Sequence, residues 1–116
     1  MSLGTVALVL VAGSIGAVLR YLTARAGARA RWPWPVLVVN VVGSLVAGVA
    51  FHSAWAPIVV TGFAGGLTTF STFAVETVQL VFDGRWRAAI THVAAQLVLG
   101  LAAAAIGWML GLLNFG

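Results

Sequence analysis

The sequence predicts an all-α integral membrane domain of four transmembrane helices, the third of them broken near its middle. Three observations carry this reading. Of 116 residues, 62% are hydrophobic and 7% charged, where soluble domains run at about a quarter charged; the mean hydropathy is +1.11. The apolar residues fall into four runs of about 20, the length a helix needs to cross the hydrocarbon core. The third run is interrupted at Gly62–Phe73, GFAGGLTTFSTF, where glycine, hydroxyl and aromatic side chains displace the aliphatic ones. The length, residues 1–116, accommodates one domain.

The first span is Leu3–Thr23, with Arg20 near its end. It is read as a retained span and not a cleaved leader, because no basic segment precedes it and no polar mature domain follows. A loop carrying Arg25, Arg29 and Arg31 leads to the second span, Val36–Trp55. The third covers Pro57–Phe82 and the fourth Ala88–Leu113. Pro35 and Pro57 stand at span starts, where a missing N–H costs little. Connections of a few residues make sequential helices antiparallel neighbours. The first and third loops share one side of the membrane and hold Arg25, Arg29, Arg31, Arg85 and Arg87, whereas the termini and second loop hold no Lys or Arg. Basic residues of short loops stay in the cytoplasm, so both termini are expected outside.

Composition also excludes classes. There is no cysteine, so disulfides and thiolate metal centres are ruled out. A pI of about 11.7 suggests nucleic acid only if a basic patch covers a soluble face; here the arginines flank apolar runs, the membrane-protein arrangement. No nucleophile–base pair or metal-ligand cluster is visible, and an enzyme is not expected. A small multidrug/proton antiporter needs an intramembrane acid early in the chain; the first two spans have neither Asp nor Glu.

The remaining polar and small residues divide between packing and chemistry. Gly13, Gly16 and Ala17, Gly43 and Gly48, and Gly107 with Gly111 permit close backbone approach between helices. Gly62, Gly65 and Gly66 each weaken a helix by about 1 kcal/mol relative to alanine. A break there exposes carbonyls, hard ligands for a bare alkali cation, and half-helix ends, whose N-termini attract anions. A kinked packing helix with its hydroxyls bonded back one turn is the bland alternative. Phe70 and Phe73 lie i,i+3 apart and share a face; such a pair is ordinarily core packing, and the alternative is that its positive ring edges coordinate a small anion. Asn40, inside the second span, is expected to bond across helices. Glu76 needs a partner, a proton or water at its depth, and His92 and Gln96, an i,i+4 pair on the fourth span, are the candidates. Arg20 either snorkels to the interface or lines an anion-gathering vestibule.

Three segments in order resemble the Fluc/CrcB family of small fluoride channels, over essentially the whole chain. They are Ala12–Tyr21 (AGSIGAVLRY), Val39–Ser44 (VNVVGS) and, most specific, Gly62–Phe73. The resemblance implies an antiparallel two-chain double-barrel assembly with two fluoride pores, passive export of fluoride from the cytoplasm, and a bacterial or archaeal plasma membrane. Carried over by position, Phe70 and Phe73 are the pore phenylalanines, Asn40 the pore asparagine, and Ser71 part of the polar lining. Glu76 matches the acid after the second phenylalanine, and Arg20 the vestibule arginine. The backbone carbonyls of Gly65 and Thr68 are implied ligands of a structural sodium ion between the two chains. The sequence departs from the family pattern at Ala74, where a hydroxyl is common, and in the fourth span, where Gln96 and Asn114 are the only uncharged polar side chains from Val93 onward. A non-conducting accessory subunit is the alternative. Members that form antiparallel homodimers need balanced loop charge; the bias here implies instead an oppositely oriented paralogue as partner, with the homodimer as alternative.

Overall fold

The computed structural model describes all residues, Met1–Gly116, and is entirely helical and turn. Helix α1 covers Leu3–Ala26, its first turn capped by Ser2, whose Oγ accepts the Thr5 N–H at 3.1 Å. Helix α2 is Trp34–Ala50. The first half of the third span, α3, is π-helical over Pro57–Ala64 and α-helical over Gly65–Leu67. After three non-helical residues, α4 covers Ser71–Phe82 and α5 covers Trp86–Phe115. The chain between α4 and α5 turns at Gly84, whose φ of +74° favours glycine.

Only 15 of 116 residues are buried, and large aliphatic and aromatic side chains stay exposed along α1, α4 and α5. In water so much exposed apolar surface is untenable; in lipid it is the solvated face. Helices α1, α5 and the third span, Pro57–Phe82, are long and apolar enough to cross a bilayer. The protein is therefore a multi-pass membrane protein.

The second span is shorter than hydropathy predicts. It begins at Trp34 and stops at Ala50, about 25 Å of helix, in place of Val36–Trp55. Ser53 ends it: its Oγ donates to the Ala50 carbonyl at 2.8 Å and accepts the Trp55 N–H at 3.2 Å. A serine hydroxyl thus offers the backbone a turn in place of a further helical turn, and hydropathy cannot see it. Phe51 and Trp55, both inside the predicted span, lie exposed at its end, where aromatic residues suit the membrane interface.

The helices pair in two layers. Helix α2 packs along α5, and α1 packs along both segments of α3. The break then lets the third span change partners, because α4 packs against α5. Glycines set both contacts. A Cβ at Gly66 would meet the Gly13 carbonyl and lie 2.9 Å from its Cα, and one at Gly16 would lie 2.7 Å from Leu67 N. In the other layer a Cβ at Gly48 would lie 2.8 Å from Trp108 N, and one at Gly107 3.0 Å from Val49 N. Backbone-to-backbone contact of this kind is the main source of association between helices in lipid.

Candidate pore site at the broken third span

The glycines do not break the helix. Gly62, Gly65 and Gly66 remain helical, and the interruption falls at Thr68, Thr69 and Phe70. Low helix propensity is outweighed there by the packing that a bare glycine surface allows against α1. The chain leaves the helix at Thr68, which is extended with φ −82° and ψ 157°. Its hydroxyl still bonds back one turn, to the Ala64 carbonyl at 2.9 Å.

Asn40 holds the break. Its Oδ1 accepts the Thr69 N–H at 2.8 Å, and its Nδ2 donates to the Thr69 carbonyl at 3.0 Å. One side chain thereby replaces both backbone partners that Thr69 loses by leaving the helix. Nδ2 also donates to Gln96 Oε1 at 3.1 Å, which ties the break to α5. The Thr69 hydroxyl accepts the Thr72 N–H at 3.3 Å, capping α4, and lies 3.3 Å from Ser71 Oγ. Thr69, which no sequence signal singles out, is the hub of the site.

The predicted residues divide into two groups around this hub. Phe70 is 78% exposed and its ring centroid lies 6.0 Å from that of Phe73, so both rings stand on one side of the break with Ser71 exposed beside them. Phe73 continues into a row of rings: its centroid is 5.0 Å from His92, and His92 meets Trp32 edge-on at 5.4 Å. His92 is wholly buried, with neither ring nitrogen hydrogen-bonded. Trp32 comes from the first loop, which Arg85 Nη1 pins by donating to the Arg31 carbonyl.

Arg20 and Glu76 form the second group, in a cavity that Phe70 and Phe73 do not line. They share this cavity, of about 570 Å³, with Thr69, Thr72, Arg31 and Arg85. Arg20 Nε donates to the Gly66 carbonyl at 3.2 Å, so this arginine caps the end of α3 and leaves its other donors toward the cavity. It is part of the cavity lining. Glu76 Oε2 has no hydrogen-bond partner. The expectation that His92 and Gln96 partner Glu76 is corrected: Gln96 bonds Asn40 and His92 packs between Trp32 and Phe73. Both residues lie on α5, and α4 presents Glu76 to the cavity against α1 and the loops.

Leaving the helix also frees carbonyls. With the Thr69 N–H turned to Asn40, the carbonyl of Gly65 receives no N–H, and neither does that of Thr68. These are oxygen ligands of the type a hard monovalent cation takes. No cluster of His, Asp or Glu suited to a metal ion is present.

Comparison with known proteins agrees with this architecture. Residues 7–108 match the family described as CrcB-like protein, Camphor Resistance (CrcB). A Thermobifida fusca protein named fluoride-specific ion channel FluC 1 is 39% identical over 118 residues, covering 91% of this chain and 98% of its own. A Rhodococcus jostii protein named fluoride-specific ion channel FluC 2 is 40% identical over 111 residues, covering 91% and 97%. A Mycobacterium bovis protein with the same FluC 1 name is 41% identical over 83 residues; that match covers 64% of this chain and 63% of the mycobacterial one. A match across all four helices, joined to a third span broken at its hydroxyl–phenylalanine segment, means that this chain belongs to the CrcB family.

Proposed function

We propose that the chain is a subunit of a fluoride-selective channel that lets fluoride leave the cytoplasm passively, down its electrochemical gradient. The observation that carries this is the break at Thr68–Phe70, which stands Phe70 and Phe73 together beside the exposed Ser71 inside a membrane span. Ring edges attract a small anion and the apolar ring bodies repel larger hydrated ones. The N-terminus of α4 adds a partial positive charge at the same place. Arg20, with the loop arginines Arg31 and Arg85, outnumbers Glu76 and Asp83 in the lining of the neighbouring cavity, an excess of positive charge that favours anions. The names carried by the relatives support fluoride as the ion.

The Gly65 and Thr68 carbonyls suit a sodium ion as ligands, since neither accepts a backbone N–H. Bound there, sodium supplies a fixed positive charge and a link between chains. Asn40 keeps the Gly65 carbonyl free by holding the Thr69 N–H, its helical donor, away from it.

The working unit in this reading is an antiparallel pair in which the partner is an oppositely oriented paralogue. All five loop arginines lie on one side, a bias that favours a single orientation with termini outside. A homodimer requires the same chain to insert both ways.

The test is fluoride efflux from liposomes holding the chain alone and then with a paralogue of reversed loop charge. Efflux is expected only from the pair. Phe70→Ile and Phe73→Ile should each abolish it while the assembly still elutes intact on size exclusion. Undiminished efflux in both variants removes the phenylalanine assignment, and efflux from the chain alone removes the paralogue.

A further inference from the structure

We infer that Gln96 is a positioning residue for the pore: acting through Asn40, it holds the Thr69 backbone out of the helix and so maintains the break. This rests on the channel reading above only for its consequence on conduction.

The argument is one of hydrogen-bond accounting. An asparagine side chain has one carbonyl oxygen and two N–H donors. The Thr69 N–H can donate only to an acceptor, so Oδ1 of Asn40 must face it, at 2.8 Å. That fixes the amide and sends one Nδ2 hydrogen to the Thr69 carbonyl at 3.0 Å. The second reaches Gln96 Oε1 at 3.1 Å. The orientation of Gln96 follows, because its amide turned over would set two donors face to face. Asn40 therefore has no free N–H; every donor it owns is committed to protein.

Gln96 is what makes that arrangement single-valued. Without its oxygen, one Asn40 hydrogen points at the apolar flank of α5, and the half-buried amide gains by rotating to find another acceptor. Rotation releases Thr69, whose N–H is then free to bond the Gly65 carbonyl four residues back and extend α3 by one residue. The pathway would lose its exposed carbonyl and its extended residue together. Helix α5 thus acts on the break through Gln96, alone among its uncharged polar residues beyond Val93.

Two variants separate this role from bulk and from direct ion contact. Gln96→Leu keeps the size and removes the acceptor. Gln96→Glu keeps an acceptor oxygen toward Asn40, protonated or not, and removes the Nε2 donors. Amide hydrogen exchange of Thr69, followed in the detergent-solubilised assembly, reads the break without requiring any conduction. It is expected to rise about tenfold in Gln96→Leu, the effect of one lost hydrogen bond, and to stay near native in Gln96→Glu. Fluoride efflux from the reconstituted pair should follow the same order. In a double-mutant cycle, Gln96→Leu should add nothing to Asn40→Ala. Equal exchange in native protein and Gln96→Leu overturns the proposal, as does equal loss of efflux in both Gln96 variants, which would assign the ion contact to Nε2. If the native pair passes no fluoride, the channel reading fails while the exchange result still decides the role of Gln96.

Discussion

At the scale of single residues, the site depends on where polar groups are spent. Asn40→Asp places an acceptor 3.0 Å from the Thr69 carbonyl and 3.1 Å from Gln96 Oε1, where two donors stood. The Thr69 carbonyl loses its donor and faces another acceptor, whereas Gln96 can turn over and offer its unpartnered Nε2 to the new oxygen. Efflux should fall at least about tenfold and stability by about 1–3 kcal/mol, the cost of leaving a buried acceptor without its donor. Thermal melts of the solubilised assembly and liposome efflux measure the two; native-like behaviour of Asn40→Asp would show that the brace is dispensable. Asn40 and Arg20 stand out in the sequence, because each is a polar side chain in an apolar run. Thr69 does not, since its function lies in its backbone, and one threonine among three in Gly62–Phe73 has no distinguishing side chain. The partners of Gln96 and His92 escape sequence reading for a related reason. An i,i+4 pair shows that two side chains share a helix face, but not which neighbouring helix that face meets.

At the scale of elements, glycine looks in the sequence like the breaker of the third span and proves to be its packing surface. The two roles predict opposite signs for alanine. On helix propensity alone, Gly66→Ala should stabilise by about 1 kcal/mol. A Cβ at Gly66, however, would sit 2.9 Å from the Cα of Gly13 on α1, and overpacking of this kind costs about 1–3 kcal/mol. Gly66→Ala should therefore lower the melting temperature. Gly100→Ala is the control: its Cβ meets only Ser44 Oγ, at 4.0 Å, and it should melt at or above the native temperature. If both variants melt higher, propensity governs and the close α1–α3 contact contributes little.

At the scale of the whole molecule, the third span passes from α1 to α5, beside a cavity lined by Arg20, Arg31 and Arg85 together with Glu76 and Asp83, and Phe70 stands exposed outside that lining. Gly65 sits exposed near this transition, and a Cβ there meets only the Val60 carbonyl, at 3.7 Å. Within one chain Gly65→Ala should thus be tolerated. With the Gly65 carbonyl at the contact between two chains, the same methyl should weaken assembly, seen on dilution as later elution of monomer-sized particles without loss of helicity. Unaltered assembly places the contact elsewhere. Orientation has its own test. A cysteine introduced at Ser2 should react with an impermeant thiol reagent on intact cells, and one at Gly84 only after lysis.

Hydropathy and residue composition were sufficient for the membrane class, the number of spans and the location of the irregular segment. These are additive properties of short windows, set by what each residue costs in lipid. The end of the second span, the position of the break after the glycines, the change of partner by α4 and the Gln96–Asn40–Thr69 chain arose only in the folded protein. Each joins groups distant in sequence, or turns on a backbone atom that every residue possesses. A polar group buried in lipid must find a donor or acceptor, and three-dimensional packing alone decides which one comes within reach.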